Sequence, residues 1–246
     1  MTSRVAILGS SSSYGLGVGG RSFAVRYAER LDPAAEVLQL SRSALTVDEV
    51  DPGTLAELRA FHPDVVVLSL GAAEAHVHPS RLLQALLDRF APASWRGPAG
   101  LNPRPYYSRS RLRRMRQLVA SRSKVRLKRL IIGATGGFHR MDTDEFAARL
   151  RQLLDELGPA PRVLVGLWCV DTYMFPRSNP VLRRHDDLLR EIAAERGDTV
   201  FVPTADAVRY WDDFLEDRAH LNEQGHARVA DLIFDAGVLG AATRSR

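Results

Sequence analysis

Short apolar runs recur along the chain with room for one helix between most neighbours. RVAIL (4–8), EVLQL (36–40), DVVVLSL (64–70), RVLVGLW (162–168) and TVFVP (199–203) read as strands. Each carries apolar side chains on both faces, as a parallel strand covered on both sides requires. Helical spacing occupies 20–31, 52–61, 80–90, 143–157, 180–196 and 223–236, with Thr143 and Asn222 as helix starts. The alternation predicts an α/β fold in one domain over 1–246, built on a doubly wound parallel sheet of five strands.

Residues 76–140 break the rhythm. They hold a proline-rich loop, PASWRGPAGLNPRPYY, followed by SRSRLRRMRQLVASRSKVRLKRLIIGATGGFHR. Leu112, Met115, Leu118 and Val119 share helical spacing, with arginines on the other face. This stretch reads as an insertion after the third strand, not as a second domain. Ligands of open α/β sheets bind beyond the carboxyl ends of the strands, so an insertion leaving there is expected to wall a site. Its charge is lopsided as well. Residues 89–141 contain 14 Lys/Arg and no Asp or Glu, while the whole chain has 34 basic and 29 acidic residues. Outside the stretch, 20 basic residues thus face all 29 acidic ones. Such asymmetry points to an anionic partner. Only Lys124 and Lys128 are lysines; the other 32 basic residues are arginines.

Composition narrows the class. Hydrophobic residues make up 45% of the chain, enough for a core, and no run reaches the length of a membrane span. MTSRVAILG enters a strand at once with no leader pattern, so a cytoplasmic protein is expected. Cys169 is the one cysteine, which excludes an internal disulfide and a cysteine-rich zinc site. Its apolar surroundings, RVLVGLWCV, predict a buried thiol.

The stretch ILGSSSSYGLGVGG (7–20) has two chemical readings. Gly15, Gly17 and Gly20 satisfy G-x-G-x-x-G, but a dinucleotide loop needs those glycines directly after the strand, and six residues intervene. No Lys-Ser or Lys-Thr pair follows to make a P-loop. A nucleophile turn is the other reading. A serine just past the first strand stands where a substrate can reach it, and it needs a base to lose its proton. DDFLEDRAHLNEQGHARVADLI supplies one, with Asp217 and His220 three residues apart after the last strand. One turn can aim that carboxylate at one imidazole nitrogen and leave the other for Ser11. Ser11 would then be the nucleophile, His220 the base and acid, and Asp217 the orienting group.

GSSSSYG resembles the first block of the SGNH/GDSL hydrolases, Gly-Asp-Ser-x-x-x-Gly, through Gly9, Ser11 and Gly15. DRAHLNEQGH resembles their last block, Asp-x-x-His. VVVLSLGAAEA stands in the place of the third block, Gly-x-Asn-Asp, and Gly71 matches; LSRSALTVDEV stands in the place of the second. The resemblance covers the chain except the insertion. The implied fold is SGNH-hydrolase-like: a doubly wound, flavodoxin-like sheet of five parallel strands with an Arg-rich insertion after the third. The implied activity is that of a serine esterase or acyltransferase working on an O-acyl or acyl-thioester substrate through an acyl-enzyme, with no cofactor. The implied oxyanion donors are the backbone N–H groups of Ser11 and Ser43. Ser10 and Ser43 depart from the family's Asp and Gly, and Glu74 replaces its third-block Asp. Ala73 replaces the Asn that donates to the oxyanion, with Asn102, Tyr106 or an insertion arginine as candidate substitutes. The same loss also admits a catalytically weakened binding or accessory protein of polysaccharide or secondary-metabolite assembly.

Arg113, Arg114 and Arg116 are expected to bind an anionic group, such as coenzyme A or an acyl-carrier protein. No nucleic-acid module accompanies them, and no membrane partner is expected. Tyr173 and Phe175 are expected to line a substrate pocket, with Trp168 in the core. His76 and His78 read as solvated loop residues without a third metal ligand, and His185 and Asp186 as a solvated helix face. His139 follows a Gly-rich loop suited to a hinge, and His226 is not expected in the site.

Overall fold

The computed structural model describes residues 2–97 and 100–238; Pro98 and Ala99 of the proline-rich loop and the two chain ends lie outside the described residues. The order is β1 (Arg4–Gly9), α1 (Ser11–Tyr14), α2 (Phe23–Leu31), β2 (Glu36–Gln39), α3 (Pro52–Phe61), β3 (Val65–Ser69), α4 (Ala72–Ala75) and α5 (Arg81–Phe90). It continues with α6 (Arg111–Thr135), α7 (Thr143–Glu156), β4 (Arg162–Val165), α8 (Ser178–Ala194), β5 (Thr199–Val202) and α9 (Glu223–Asp235). The five strands run parallel in the order β2-β1-β3-β4-β5.

Strand side chains alternate between two helical layers. Ala6, Leu8, Val66, Leu68 and Leu164 pack with Leu58, Phe146, Leu150, Leu154, Leu182 and Leu189 of α3, α7 and α8. Val5, Ile7, Val65, Val67, Val163 and Val165 pack with Phe23, Ala24, Tyr27, Val229, Ala230 and Ile233 of α2 and α9. Continuous apolar runs in the inner strands follow from this double cover. β2 departs from that expectation. It pairs only with β1, at the sheet's edge, and Val37 is 37% exposed. β4 stops at Val165, short of the predicted 168, because Gly166 to Trp168 turn toward the site. α7 starts at Thr143 as expected, with Asp142 capping it by accepting from the Glu145 N–H, and Asn222 caps α9 by accepting from the Gly225 N–H.

Because β1 leads to β2 on one side and β3 leads to β4 on the other, the crevice for a ligand opens above β1 and β3. These two strands run in register from Val5 opposite Val65 to Gly9 opposite Ser69. The insertion stands over this end as α5, a proline-rich loop and α6. α6 corrects one expectation. Leu112, Met115 and Val119 face solvent at 71, 59 and 61% exposure, and the buried face is Ser121, Lys124, Val125, Lys128 and Ile132. Spacing identifies residues that share a face, but which face meets the body is decided by tertiary packing. Among the described residues no helix is long and apolar enough to cross a membrane.

Gly9 is the tightest point of the sheet's upper rim. A Cβ there would lie 2.4 Å from the Ser69 carbonyl oxygen and 2.6 Å from Ser13 Oγ. Gly9→Ala is therefore expected to cost about 1–3 kcal/mol, as overpacking does, and to lower Tm by at least about 2 °C. An unchanged Tm in thermal denaturation would show that the rim has slack.

Candidate active site

The four consecutive serines have different environments. The Ser10 N–H donates to the Ser69 carbonyl at 3.0 Å, which ties the exit of β1 to β3. Ser13 is buried; its hydroxyl donates to the Ser10 carbonyl at 3.0 Å and lies 2.9 Å from Ser41 Oγ. Ser10 and Ser12 border a cavity, and Ser11 opens α1 with its hydroxyl at the cavity's base. The glycines of the G-x-G-x-x-G match come after α1, with Gly15 as its left-handed C-cap, and not in the turn that leaves β1.

Ser11 Oγ lies 2.7 Å from His220 Nε2, and His220 Nδ1 lies 2.5 Å from Asp217 Oδ2. The loop carrying the latter pair is pinned by a Phe214–Leu221 bridge and by the Leu215 N–H donating to the His220 carbonyl. Asp217 is only 1% exposed, and its Oδ1 accepts from the Ala219 and His220 N–H groups, each at 3.1 Å. Arg218, between them, takes a left-handed φ of 56° that lets the chain fold back over the carboxylate. Trp168 Nε1 donates to the Ala219 carbonyl at 3.0 Å and steadies the loop from the β4 side. Burial alone would push the His220 imidazole down; the Asp217 charge and hydrogen bond outweigh it and leave its pKa above the ordinary 6.5. An Nδ1–H directed at Asp217 leaves Nε2 to accept from the Ser11 hydroxyl.

The cavity has a volume of about 370 Å³, within the range of small-molecule sites. Ser43 and Ala44, after β2, form one wall, and Ala73 of α4 lies beside them. Arg140 braces this wall by donating to the Ala44 carbonyl and to Glu49, both at 2.8 Å. Glu74 turns away from the cavity. Its carboxylate is fully buried and accepts from the N–H groups of Val47 at 2.7 Å and Gly71 at 3.0 Å. Burial pushes its pKa up to about 7 despite those bonds. Glu74 thus joins the Gly71 turn to the loop after β2.

Phe175 lines the cavity, but Tyr173 does not; it is 49% exposed and lies under the Arg129 guanidinium. Arg113, Arg114 and Arg116 are all exposed and contribute nothing to the cavity wall. They occupy the part of α6 before its buried face begins at Ser121. Asn102 borders the cavity and accepts from Lys128 Nζ at 2.7 Å, whereas Tyr106 is exposed. His76 and His78 are not solvated. Both line the cavity, and His76 stacks on Phe175 at 5.0 Å. Burial first, and then the Lys128 charge, hold the His76 imidazole well below its ordinary pKa. His78 exchanges backbone hydrogen bonds with Phe138 at 2.8 and 2.9 Å, which fastens the Gly-rich loop before His139. His185 and Asp186 are buried too, since Leu182, His185, Asp186 and Leu189 form the inner face of α8. The Asp186 carboxylate holds the Leu167 N–H at 2.7 Å. Cys169 is partly exposed rather than buried. His226 accepts the Phe23 N–H at 3.0 Å, away from Ser11.

The insertion walls the cavity as expected, but the sequence did not single out the residues it supplies: Trp95, Arg104, Ser121 and Lys124. A signal was present, for the chain's two lysines stand four apart, one helical turn, in an arginine-rich segment.

A sequence model of the GDSL-like Lipase/Acylhydrolase family matches residues 7–228. None of the curated proteins compared with the chain matches it. Among solved structures, the fold is similar to an alpha/beta hydrolase enzyme from the metagenome of Lake Arreo, Spain, with a TM-score of 0.60, 15% identity and 96% of each chain covered. It is similar to a variant of an acetyl xylan esterase from Geobacillus stearothermophilus, with a TM-score of 0.58, 17% identity, and 96% of this chain and 95% of that one covered. It is also similar to the lipase/acylhydrolase from Enterococcus faecalis, with a TM-score of 0.57, 14% identity, and 98% and 97% covered.

The raised pKa of Glu74 has a definite sign in stability. The folded state holds its proton more tightly than the unfolded chain, so folding stability falls as pH rises from 4.5 toward about 7. Glu74→Gln removes this titration. Urea unfolding across that range is expected to show wild type losing stability relative to the variant; parallel profiles would contradict the assignment.

Proposed function

Because the chain belongs to the GDSL-like lipase/acylhydrolase family, we propose that it is a serine esterase in which Ser11, His220 and Asp217 form the catalytic triad. The observation that carries this reading is the unbroken hydrogen-bonded run from Ser11 Oγ through the His220 ring to a buried carboxylate. Ser11 Oγ attacks the acyl carbon as His220 Nε2 takes its proton. The tetrahedral intermediate collapses when the bond to the leaving oxygen breaks and His220 returns the proton to that oxygen. Water then gives a proton to His220 and its oxygen to the acyl carbon, and Ser11 is released. Asp217 keeps the ring in the productive tautomer and balances the imidazolium that forms twice per turnover. A substrate hydroxyl in place of water makes the same site an acyltransferase. Adding an alcohol acceptor and analysing the products separates the two.

The backbone N–H groups of Ser11 and Ser43 are the proposed oxyanion donors, and Ser43 borders the cavity as that role requires. Ala73 stands where the family resemblance places a donating Asn. Loss of one donor costs about 10²–10³ in rate, so the unaided site is expected to be a slow hydrolase. This feature also supports the second reading, a protein that binds acylated ligands without turning them over.

A serine-reactive fluorophosphonate probe separates these readings. Wild type is expected to be labelled at Ser11 and Ser11→Ala not at all, while Asp217→Asn loses about 10⁴-fold in kcat on a small neutral ester. Folded wild type that takes no label would favour the binding protein. In a second experiment, Ala73→Asn is expected to raise kcat by up to about 10²-fold. Unchanged or lower kcat in a folded Ala73→Asn protein would show that the wall supplies another donor.

A further inference from the structure

The two N–H groups that hold Asp217 Oδ1 belong to successive peptides, and each peptide is gripped at its carbonyl by the chain that follows β4. The peptide joining Ala219 to His220 donates its N–H to Asp217 at 3.1 Å and accepts from Trp168 Nε1 at 3.0 Å. The peptide joining Arg218 to Ala219 donates to the same oxygen at 3.1 Å and accepts the Asp171 N–H at 3.2 Å. This second grip is itself anchored at both ends. The peptide that carries the Asp171 N–H begins at the Val170 carbonyl, which accepts from Asn179 Nδ2 of α8 at 2.9 Å; Asn179 Oδ1 accepts the Val170 N–H at 2.9 Å. The Asp171 side chain is buried. Its Oδ1 accepts the N–H groups of Tyr173 and Met174 at 2.7 and 2.8 Å, and its Oδ2 accepts the Tyr210 hydroxyl. Burial, and after it the bond to Asp171, pushes the Tyr210 pKa up to about 12, so the phenol keeps the proton it donates. A continuous run thus leads from Asn179 through two peptides to the Asp217 carboxylate. Each peptide accepts at its oxygen and donates at its nitrogen, so each bond strengthens the next. Asp171, Asn179 and Tyr210 are not part of the cavity lining.

We propose that Asp171 is a positioning residue for the catalytic turn: held by Asn179 and Tyr210, its backbone N–H sets the peptide that holds Asp217. This role rests on the serine-esterase reading and adds to it residues that act on the reaction without touching the substrate. Without the Tyr210 hydroxyl, a buried carboxylate oxygen loses its donor and the turn at Asp171 shifts to find another. The Asp171 N–H then leaves the Arg218 carbonyl, and Asp217 rests on one anchored peptide instead of two. Its Oδ2 is held less firmly against the His220 ring. Displacing a catalytic group in this way is costly in rate even when the change lies outside the cavity.

Tyr210→Phe removes one oxygen and keeps the ring that packs on Trp211 and Phe214. Its kcat on a small neutral ester is expected to fall about tenfold to 10²-fold, with KM unchanged because the cavity lining is intact. The His220 imidazole, followed by NMR, is expected to titrate lower than in wild type, since the Asp217 charge and hydrogen bond hold its pKa up. Asn179→Ala acts on the other end of the same peptide. It is expected to show both changes, and it decides the matter if Tyr210→Phe fails to fold. Folded variants with wild-type kcat and an unmoved His220 titration, whatever their Tm, overturn the proposal, because the bonds then serve the fold alone. A rise in KM at constant kcat overturns it as well, by placing the effect in binding. Fluorophosphonate labelling of wild type reports separately on the esterase reading. If wild type takes no label, the His220 titration alone decides, and a pKa that falls in neither variant overturns the positioning role.

Discussion

A carboxylate almost wholly withdrawn from water must find its hydrogen bonds inside the protein, and Asp217 finds three of them within its own turn. Two come from backbone N–H groups and the third from the His220 ring. The first two fix the carboxylate, and the fixed carboxylate fixes the ring. The rest of the site follows from this constraint, because a ring held at Nδ1 has only Nε2 left to offer Ser11. The left-handed Arg218 makes the turn tight enough, and Trp168 ties it to the end of β4. A motif of four residues, Asp-x-x-His, thus contains most of the geometry it needs.

The sheet supplies the other half. Ser11 reaches His220 across more than two hundred positions of sequence because β1 ends at the crevice where the order of the strands divides. Gly9 permits the approach of β1 to β3 there, and the Ser10 bond to Ser69 holds it. Glu74 then links the loop after β2 to the turn after β3, the two segments that carry Ser43 and Ala73. The cost is a carboxyl group held in the core with its pKa raised to about 7, and the gain is a connection between two loops that share no strand pairing at that height. The insertion completes the enclosure and adds Arg104 and Lys124 to its lining.

Local rules made the inner strands and the Asp217–His220 turn legible in the sequence. Apolar runs buried on both sides admit few alternatives, and a three-residue separation in a turn leaves little freedom to the side chains involved. Orientation was harder to read. Leu112, Met115 and Val119 do share a face of α6, yet that face is the solvated one, and the side meeting the cavity carries two lysines among its buried residues. Hydropathy ranks lysine last among candidates for burial, although its long apolar stem can be covered while its ammonium finds a polar or aromatic partner. Lys128 does this with Asn102 and the Phe175 ring. His185 and Asp186 failed for the same reason: polar residues on the inner face of an amphipathic helix read as solvated until their partners, such as the Leu167 N–H, are visible. Arg113, Arg114 and Arg116 show that a dense cluster of charge need not meet the cavity, since they lie on an exposed stretch of α6 and are not part of its lining.

The central claim is that the Asp217 carboxylate, against the effect of burial, governs the state of the His220 ring. It is tested most directly by following the His220 imidazole through pH by NMR in wild type and in Asp217→Asn. The ring is expected to titrate above 6.5 in wild type and below 6.5 in the variant, where burial acts unopposed. Coincident titrations in the two proteins would contradict the account.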